Sequence, residues 1–555
     1  MVLTACGPTP TEPPVVTEPP ATEPPATEPP APEEVTIIIG VTDQISSLDA
    51  GDAYATHDWE LIRNTGRTFL RWNPGTSDLV PDLAVDMPVI SEDGLTYTIT
   101  LKPDVKFSDG TLLTAPMYVE QFNRLLTIGP SCPNDVADTL VIPYVASVAA
   151  TDESTVVFTL KSNVAFFLQL LATAPYTPTH PGTFPLEECV LFPAAPIHGV
   201  GPWYVTQFTQ NEQIVLEPNP YYNGDLVPQS DRIIVRYFAD PQTLSLAVQN
   251  GEIDIAWRYL GPSLISELEG VSDITVGTVD GGAIRYLVIN HTMAPFDDPN
   301  VVKAFASAID RDEIVDTVYL GAASPLYSQI PPGFLGATEV FDTMYGSPDL
   351  DGARAFLAAS GYNETNKCAL DLWYPPEHYG AETSAWMELI KAQLERTDVF
   401  SVTLHAQEWS TYVTALTGGA SYQAGVLGWF FDYPDSSNYI DPWVFNKGMG
   451  TNIALPEEGS DYGIPIAGPY NEKATALVNI LVQADQETDL ALRESLYQQA
   501  QELYAELVVT VPLFFLAEHV VYSPTIHGSD LFGSPETLNI GGNVEFNYST
   551  LTKTP

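Results

Sequence analysis

Basic residues are scarce in this chain. Lysine and arginine together number 21, against 71 aspartate and glutamate residues, and the formal net charge is −50. Such a surface repels nucleic acid and anionic bilayers, because phosphate binding depends on Lys and Arg to displace counterions. Nucleic-acid partners are therefore excluded, and cationic or zwitterionic partners are favoured. The same acidity also keeps a protein soluble, so charge alone does not identify a ligand.

Motifs for metal binding and catalysis are also missing. The four cysteines contain no CxxC pair, and the eight histidines form no HxH or HExxH. This disfavours a zinc ribbon, a thioredoxin-like protein and a direct metal cage, whereas metal carried by an organic chelator stays open. No GxSxG, GxxxxGK or strand-linked GxGxxG is present. We expect no enzyme, no cofactor and no protein-bound metal; paired acids of a glycosidase are the remaining enzymatic alternative.

Long apolar runs are lacking as well. Beyond the N-terminal segment no stretch approaches the ~20 apolar residues of a membrane-spanning helix. The richest candidate, Leu507–Tyr522, is interrupted by Pro512, Glu518 and His519. It is predicted to be a helix end followed by a buried strand.

The first 34 residues differ in composition from the rest of the chain. Cys6, within the segment Leu3–Gly7, is similar to a bacterial lipobox, in which the cysteine is lipidated and becomes the mature N-terminus, although the rest of a signal peptide is missing. Residues 7–34 contain four TEPP units and eleven prolines, a composition typical of a semi-rigid polyproline II spacer. Residues 1–34 are thus predicted to be a lipobox and tether that hold an extracytoplasmic protein on a bacterial membrane, in the periplasm or at the outer surface.

The remaining chain alternates predicted strands with amphipathic helices, which indicates an α/β architecture. Strands are predicted at Val35–Val41, Leu95–Leu101, Thr155–Leu160, Leu370–Tyr374, Ser401–His405 and Gly425–Gly428. Helices are predicted at Val301–Tyr319, Thr383–Arg396 and Asp489–Leu507.

A series of segments in fixed order, from about residue 35 to residue 530, resembles the family 5 extracellular solute-binding proteins. These are the peptide- and nickel-binding components of ABC importers. The segments that carry the resemblance are Leu79–Ala84, Ser91–Ala115, Gly199–Tyr204, Glu217–Tyr222, Gln249–Asp254, Phe296–Ile314, Asp351–Tyr362 and Trp429–Asp435.

The resemblance implies a two-lobed, hinged periplasmic-binding-protein fold of type II, with an additional module on the first lobe. Lobe I would combine residues 35–70, 197–287 and 520–555; the additional module would be 71–196, and lobe II 288–519. A small-molecule ligand, in the first place a peptide, would be enclosed between the closing lobes and passed to ABC-transporter permease subunits. The protein would act as a monomer.

The resemblance also suggests binding residues. Trp429 to Tyr433 is similar to the W-x-x-D-Y pattern of peptide-binding members, whose Asp receives the peptide α-ammonium, so Asp432 takes this role here. A carboxylate in a closed cavity selects strongly for a cation. Gly428, Trp429 and Tyr433 are expected to line the same site. An Asp that only braces the loop before Pro434 is the alternative.

The carboxylate end of the ligand has no evident partner. Dipeptide-binding members place an Arg just after the strand that corresponds to Leu370–Tyr374, but here no Arg follows. Tyr374 and His378 are pocket candidates, and a His with an ordinary pKa near 6.5 is a weak cation at neutral pH. The sequence therefore leaves several ligands open: a longer peptide whose C-terminus finds another partner, a sugar, a metal chelate or another ligand without a carboxylate. A surface lipoprotein used in sensing or adhesion is a further functional alternative.

In an exported protein, three cysteines besides Cys6 allow three disulfide pairs. Cys132–Cys189 is preferred because both residues fall in the additional module that the resemblance implies. Cys368 would then be free and buried.

Overall fold

The computed structural model describes residues 1, 7, 34–73, 78–128, 132, 136–257, 260–346, 348–380, 382–417, 422–445, 471–528, 539–540, 543–544 and 547–554. The chain divides into two units, residues 1–34 and residues 35–555. Cys6, the predicted lipobox cysteine, and residues 8–33 of the predicted tether lie outside the described residues. None of the helices in the described ranges combines the length and the apolarity that a membrane crossing requires.

The structure mixes strands and helices along the whole second unit. The strands are β1 Thr36–Val41, β2 Leu70–Trp72, β3 Leu79–Pro81, β4 Val89–Ile90, β5 Thr96–Thr100, β6 Val145–Ala150, β7 Thr155–Leu160, β8 Trp203–Thr209, β9 Gln213–Pro218, β10 Arg232–Tyr237, β11 Ile255–Trp257, β12 Thr275–Ile289, β13 Ala323–Pro325, β14 Cys368–Tyr374, β15 Phe400–Ala406, β16 Ala424–Trp429, β17 Thr510–Tyr522, β18 Ile526–His527, β19 Asn539–Ile540, β20 Asn543–Val544 and β21 Thr552–Lys553. The helices are α1 Thr56–Thr65, α2 Ala115–Ile128, α3 Val136–Leu140, α4 Phe167–Leu170, α5 Pro241–Gln249, α6 Gly261–Leu268, α7 Pro299–Ser307, α8 Arg311–Val318, α9 Val340–Tyr345, α10 Leu350–Ala359, α11 Thr383–Glu395, α12 Trp409–Thr417, α13 Ser437–Val444, α14 Asn471–Gln486 and α15 Leu490–Leu507.

One large sheet runs through the molecule. Its order is β15-β14-β16-β12-β17-β11-β1-β10-β9-β8, with β13 paired to β17 as the eleventh strand. The longest strands, β12 and β17, run antiparallel, and their register shifts between Asp280 and Ile284. A separate antiparallel sheet has the order β4-β5-β7-β6. The two long strands therefore connect the two halves of the large sheet.

Four apolar clusters pack around these sheets. The largest is built from residues of the range 284–514. The second takes its members from residues 50–176, together with Val200 and Tyr433. The third and fourth contain β1, β10, β11 and the C-terminal end of β17. Since β17 contributes Val511 and Phe514 to the first cluster but Val520 and Val521 to the others, it crosses from one core to another.

Most predicted elements are confirmed. The observed bounds differ by at most two residues from the predicted ones for β1, β5, β7, β14, β15, β16, α11 and α15, and Leu507–Tyr522 is a helix end followed by β17. The single helix predicted at Val301–Tyr319 is wrong. The chain forms α7 and α8 instead, because the Asp310 carboxylate accepts a hydrogen bond from the Glu313 N–H and begins a second helix.

A disulfide joins Cys132 to Cys189, with Cα atoms 5.6 Å apart. It closes a loop of 57 residues that carries β6, β7 and the helices around them. Cys368 is a free, fully buried thiol, and burial raises its pKa to about 12, so it stays protonated.

Candidate functional site

The candidate site begins where β16 ends. Ala424 to Leu427 are buried and apolar, so they fix the strand in the sheet between β12 and β14. At Trp429 the strand stops, and a short loop leads to α13. The side chains of Phe430 to Ser436 are therefore presented from a rigid strand end, which is a favourable support for a binding site.

Asp432 lies almost enclosed in this loop, with 9% of its surface exposed. Its Oδ2 accepts hydrogen bonds from the Asn438 Nδ2 at 3.0 Å and from the Tyr54 hydroxyl at 3.2 Å. Its own N–H donates to the Asn438 Oδ1 at 2.9 Å. Both side-chain bonds end on the same oxygen, so within the described chain Oδ1 has no hydrogen-bond donor and no cation within ion-pair distance.

Burial raises the pKa of Asp432 from 3.8 to about 6, while the hydrogen bonds from Asn438 and Tyr54 and the charge of Arg63 act in the opposite direction. The carboxyl group is therefore largely ionised at neutral pH, although its surroundings disfavour the charge. A cation brought to Oδ1 would relieve this unfavourable burial.

Asn438 holds this arrangement together. Besides its two bonds to Asp432, its Oδ1 accepts a hydrogen bond from the Trp429 Nε1 at 3.0 Å. The half-buried Trp429 ring also meets Trp443 edge to face, at 5.6 Å between centroids. The hydrogen bonds between Asp432 and Asn438 therefore brace the loop, as the alternative interpretation expects. They leave the Oδ1 of Asp432 free among the described residues.

Tyr433 takes a different position from the one expected. Its ring stacks on Phe166 at 5.1 Å and belongs to the second apolar cluster, with 3% of the residue exposed. Its hydroxyl lies 3.3 Å from the Ser437 Oγ. Tyr433 therefore fastens the loop to the second cluster and offers almost no surface to a ligand.

Gly428 leaves room for an arginine that sequence reasoning missed. Arg285, on β12, pairs with Gly428 across the sheet. A Cβ at position 428 would lie 2.6 Å from the Arg285 Nη1 and 2.9 Å from the Tyr379 ring, so only glycine fits without a shift. The guanidinium lies over the Tyr379 ring at 4.6 Å and the Phe430 ring at 5.5 Å.

Tyr374 and His378 lie beside this group. Tyr374, at the end of β14, is 7% exposed and packs in the first apolar cluster. His378 is exposed on one side, and its other face stacks on Trp409 at 3.6 Å. This partial burial and the nearby charge of Arg285 lower the pKa of His378 to about 4. His378 is neutral at pH 7 and supplies no cation for a ligand carboxylate.

Ordinary metal-ligand side chains do not converge at this site. Across the described ranges the only group of three close His, Cys, Asp or Glu ligands is Asp52, Cys132 and Cys189. Two of these are joined in the disulfide, so their sulfur atoms are not thiolate ligands.

The chain matches a family model described as bacterial extracellular solute-binding proteins, family 5 Middle, over residues 78–451. The probable D,D-dipeptide-binding periplasmic protein of Escherichia coli K12 is 24% identical over 86% of this chain and 88% of its own length. The dipeptide-binding protein of the same strain is 26% identical over 81% of this chain and 83% of its own.

Solved structures match the fold across nearly the whole chain. NikA from Brucella suis, in complex with Fe(III)-EDTA, has a TM-score of 0.77 at 20% identity, covering 94% of this chain and 100% of that one. The dipeptide-binding protein from Pseudoalteromonas sp. SM9913, in complex with Met-Leu, has a TM-score of 0.75 at 19% identity, with the same coverage. The predicted α/β, two-lobed periplasmic-binding-protein fold is confirmed by these matches.

Proposed function

Because this chain belongs to the bacterial extracellular solute-binding proteins of family 5, we propose that it captures a short peptide and delivers it to the permease subunits of an ABC importer. Solute binding outside the cytoplasm follows from the family. The choice of a peptide is supported by Asp432 and by the relatives, which include D,D-dipeptide-, oligopeptide- and dipeptide-binding proteins. Binding without chemical turnover is part of the proposal.

The free oxygen of Asp432 carries the proposal. In this reading the peptide ammonium donates to Oδ1, while Asn438 and Tyr54 hold Oδ2 in place. A charge-assisted bond in a water-poor cavity is about twice as strong as a neutral one. Asp432 therefore sets the requirement for an amine, and Trp429 borders the peptide backbone beside it.

The proposed lobe boundaries are those that the family resemblance implies. Residues 35–70, 197–287 and 520–555 form lobe I, residues 71–196 the additional module, and residues 288–519 lobe II. The first and third apolar clusters support the separation of lobe II from lobe I, whereas the second cluster joins residues 50–70 of lobe I to the additional module. The hinge is placed at the register shift of β12 and the facing part of β17, because these strands cross between clusters. The bond from the Tyr54 hydroxyl to Asp432 then joins the two lobes across the cleft.

A lipid anchor at Cys6 and a monomeric state complete the proposal. The lipobox-like Leu3–Gly7 and the proline-rich tether support the anchor. Metabolic labelling with an alkyne fatty acid should label the wild type when it is exported by a bacterial host. The Cys6→Ser variant should stay unlabelled, and equal labelling of both would contradict the anchor.

Peptide affinity is expected to be nearly constant above about pH 7 and to fall about tenfold per pH unit below pH 6. Protonation of Asp432, whose pKa in the unliganded protein is about 6, removes the charge that attracts the ammonium. Calorimetric titration of a peptide pool between about pH 4.5 and 7.5 measures this. The Asp432→Asn variant should show a flat profile, and a flat wild-type profile would argue against the amine anchor.

Ligand is expected to compact the protein, since the proposed lobes close on it. Small-angle X-ray scattering should show a smaller radius of gyration with a saturating peptide pool than without it. The Asp432→Asn variant at the same peptide concentration serves as the unliganded control. An unchanged envelope at confirmed saturation would contradict lobe closure.

A further inference from the structure

A cavity lies at the C-terminal end of α1, where the chain enters β2. The space open to the centre of a water molecule is ≈ 50 Å³ there, whereas a single water needs ~10–15 Å³. Its walls come from three stretches of the chain, within residues 63–82, 172–177 and 202–226, and from Asn547. Since none of its described lining residues belongs to the loop of Asp432, the cavity is separate from the proposed peptide site. It has room for a small ion.

The charge of this lining is opposite to that of the chain as a whole. Arg63, Arg67 and Arg71 line the cavity, and Asp82 is the one acid among its described lining residues. The Arg67 Nη2 and the Asp82 Oδ1 are already joined in an ion pair at 2.7 Å. The end of α1 adds about half a negative charge, which is less than the full charge of Arg71 alone. In a protein with a formal net charge of −50, this lining favours an anionic occupant.

Arg71 is only weakly compensated within the protein. Its Nη2 lies 3.8 Å from the Asp225 Oδ2, beyond hydrogen-bond distance, and the Asp225 side chain is 78% exposed. Such an exposed pair contributes little to stability. The Arg71 Nη1 is buried and has no hydrogen-bond partner among the described residues. Because the Arg71 side chain as a whole is 18% exposed, a ligand that enters the cavity can reach its guanidinium.

Two other polar groups of the lining also lack partners. The Thr177 hydroxyl and the Asn547 Nδ2 are buried and form no hydrogen bond with the described residues. The Asn547 Oδ1 accepts from the Ser549 N–H at 3.0 Å, which leaves Nδ2 as the free end of the amide. Gly66 lets Thr177 approach, because a Cβ at position 66 would overlap the Thr177 Cγ2. Since buried polar groups are rarely left unsatisfied, the donors of Arg71, Thr177 and Asn547 indicate a ligand rich in acceptors.

We propose that this cavity binds a tetrahedral oxyanion of the phosphate class, at a site that does not depend on peptide capture. Guanidinium, amide and hydroxyl donors match phosphate oxygens. Three donors from separate stretches of the chain suit a tetrahedral anion better than the two oxygens of a carboxylate. The phosphate group is free or forms the end of a phosphomonoester. Because the lining belongs to the proposed lobe I and additional module, the anion would hold these two together without any peptide.

Calorimetric titration with sodium phosphate, sodium sulfate and a phosphomonoester, glycerol phosphate, tests the site at an ionic strength held constant with sodium chloride. The wild type should bind at least one of the three at a single site without peptide. Arg71→Gln should lower this affinity about 10- to 100-fold, the loss expected for hydrogen bonds to a charged group. Binding of glycerol phosphate alone would identify a phosphomonoester as the occupant. No saturable binding by the wild type would overturn the site.

Arg232→Gln is the matched control for the loss of charge. Arg232 lies on β10, outside the cavity lining, and its Nη2 is 3.4 Å from the Glu217 Oε1. This variant should bind the anion as the wild type does. An equal loss of affinity in Arg232→Gln and Arg71→Gln would show a general effect of net charge and would overturn the site.

Thr177→Val separates anion binding from damage to the fold. The substitution removes a buried hydroxyl that has no partner, so without anion the unfolding temperature should stay the same or rise slightly. A bound anion raises the unfolding temperature of the wild type by mass action, and Thr177→Val should reduce this rise because the anion loses one donor. A rise as large as that of the wild type would overturn the arrangement of donors proposed here.

Discussion

Replacing Asp432 by asparagine is expected to lower the affinity for peptides with a free N-terminus about 100-fold, equivalent to about 2.7 kcal/mol. The variant keeps the size of the side chain and an oxygen that accepts from Asn438 and Tyr54. It loses only the charge that faces the ligand ammonium. Calorimetric titration of one peptide pool in free and N-acetylated forms measures the change.

The N-acetylated pool separates the amine anchor from general damage to the site. Its affinity should be weak and nearly the same for the wild type and Asp432→Asn. Asp435→Asn is the matched control, because both Asp435 oxygens in the same loop are already bound by Arg493, at 2.7 and 2.8 Å. It should affect stability but not the preference for a free amine. Equal losses for both peptide forms in Asp432→Asn would rule out the anchor.

The same substitution should stabilise the unliganded protein. Because the folded-state pKa of about 6 lies above the ordinary 3.8, the folded protein holds this proton more tightly than the unfolded chain. The carboxyl group's contribution to the free energy of unfolding is largest below about pH 4 and is lost as the pH rises through 6. At pH 7 the buried charge lowers the free energy of unfolding by up to ~3 kcal/mol, and the uncharged asparagine would restore this stability. Thermal unfolding of both proteins at about pH 4 and pH 7 should show a difference only at the higher pH.

Removing the disulfide by the double substitution Cys132→Ser and Cys189→Ser is expected to lower the free energy of unfolding by about 4 kcal/mol. The loop closed by this bond has 57 residues, and the chain-entropy relation gives that magnitude for a loop of such length. The loss should be concentrated in the sheet β4-β5-β7-β6, because β6 and β7 lie inside the loop. Hydrogen exchange resolved by peptide mass spectrometry locates it.

The wild type under reducing conditions is the natural control for this variant. Its unfolding should match that of the double variant, because Cys368 is buried and stays a thiol in both. A double variant as stable as the oxidised wild type would show that the bond does not constrain the unfolded chain.

Local elements were predictable because their signals are local. Alternating apolar residues mark β5 and β7, and helical spacing with an acidic cap marks α15. The break between α7 and α8 was missed because the apolar spacing continues across it. Asp310 caps the start of α8 at this break. This cap depends on the orientation of one carboxylate, which the periodicity of apolar residues does not show.

The site was predictable only in part. Asp432 stands in a short pattern that the sequence shows directly. Its hydrogen-bond partner Tyr54 lies 378 residues away, and no local signal connects them. Arg285 was not predicted beside this loop, because only the pairing of β12 with β16 brings an arginine from a distant segment next to Gly428. Strand register of this kind depends on tertiary packing.

The most direct test of solute capture by Asp432 is a crystal structure of the protein with its bound solute. We expect the solute between the lobes, with an ammonium nitrogen within hydrogen-bond distance of the Asp432 Oδ1 and Oδ2 still bound by Asn438 and Tyr54. A solute that binds elsewhere, or that presents no amine to Asp432, would contradict the account.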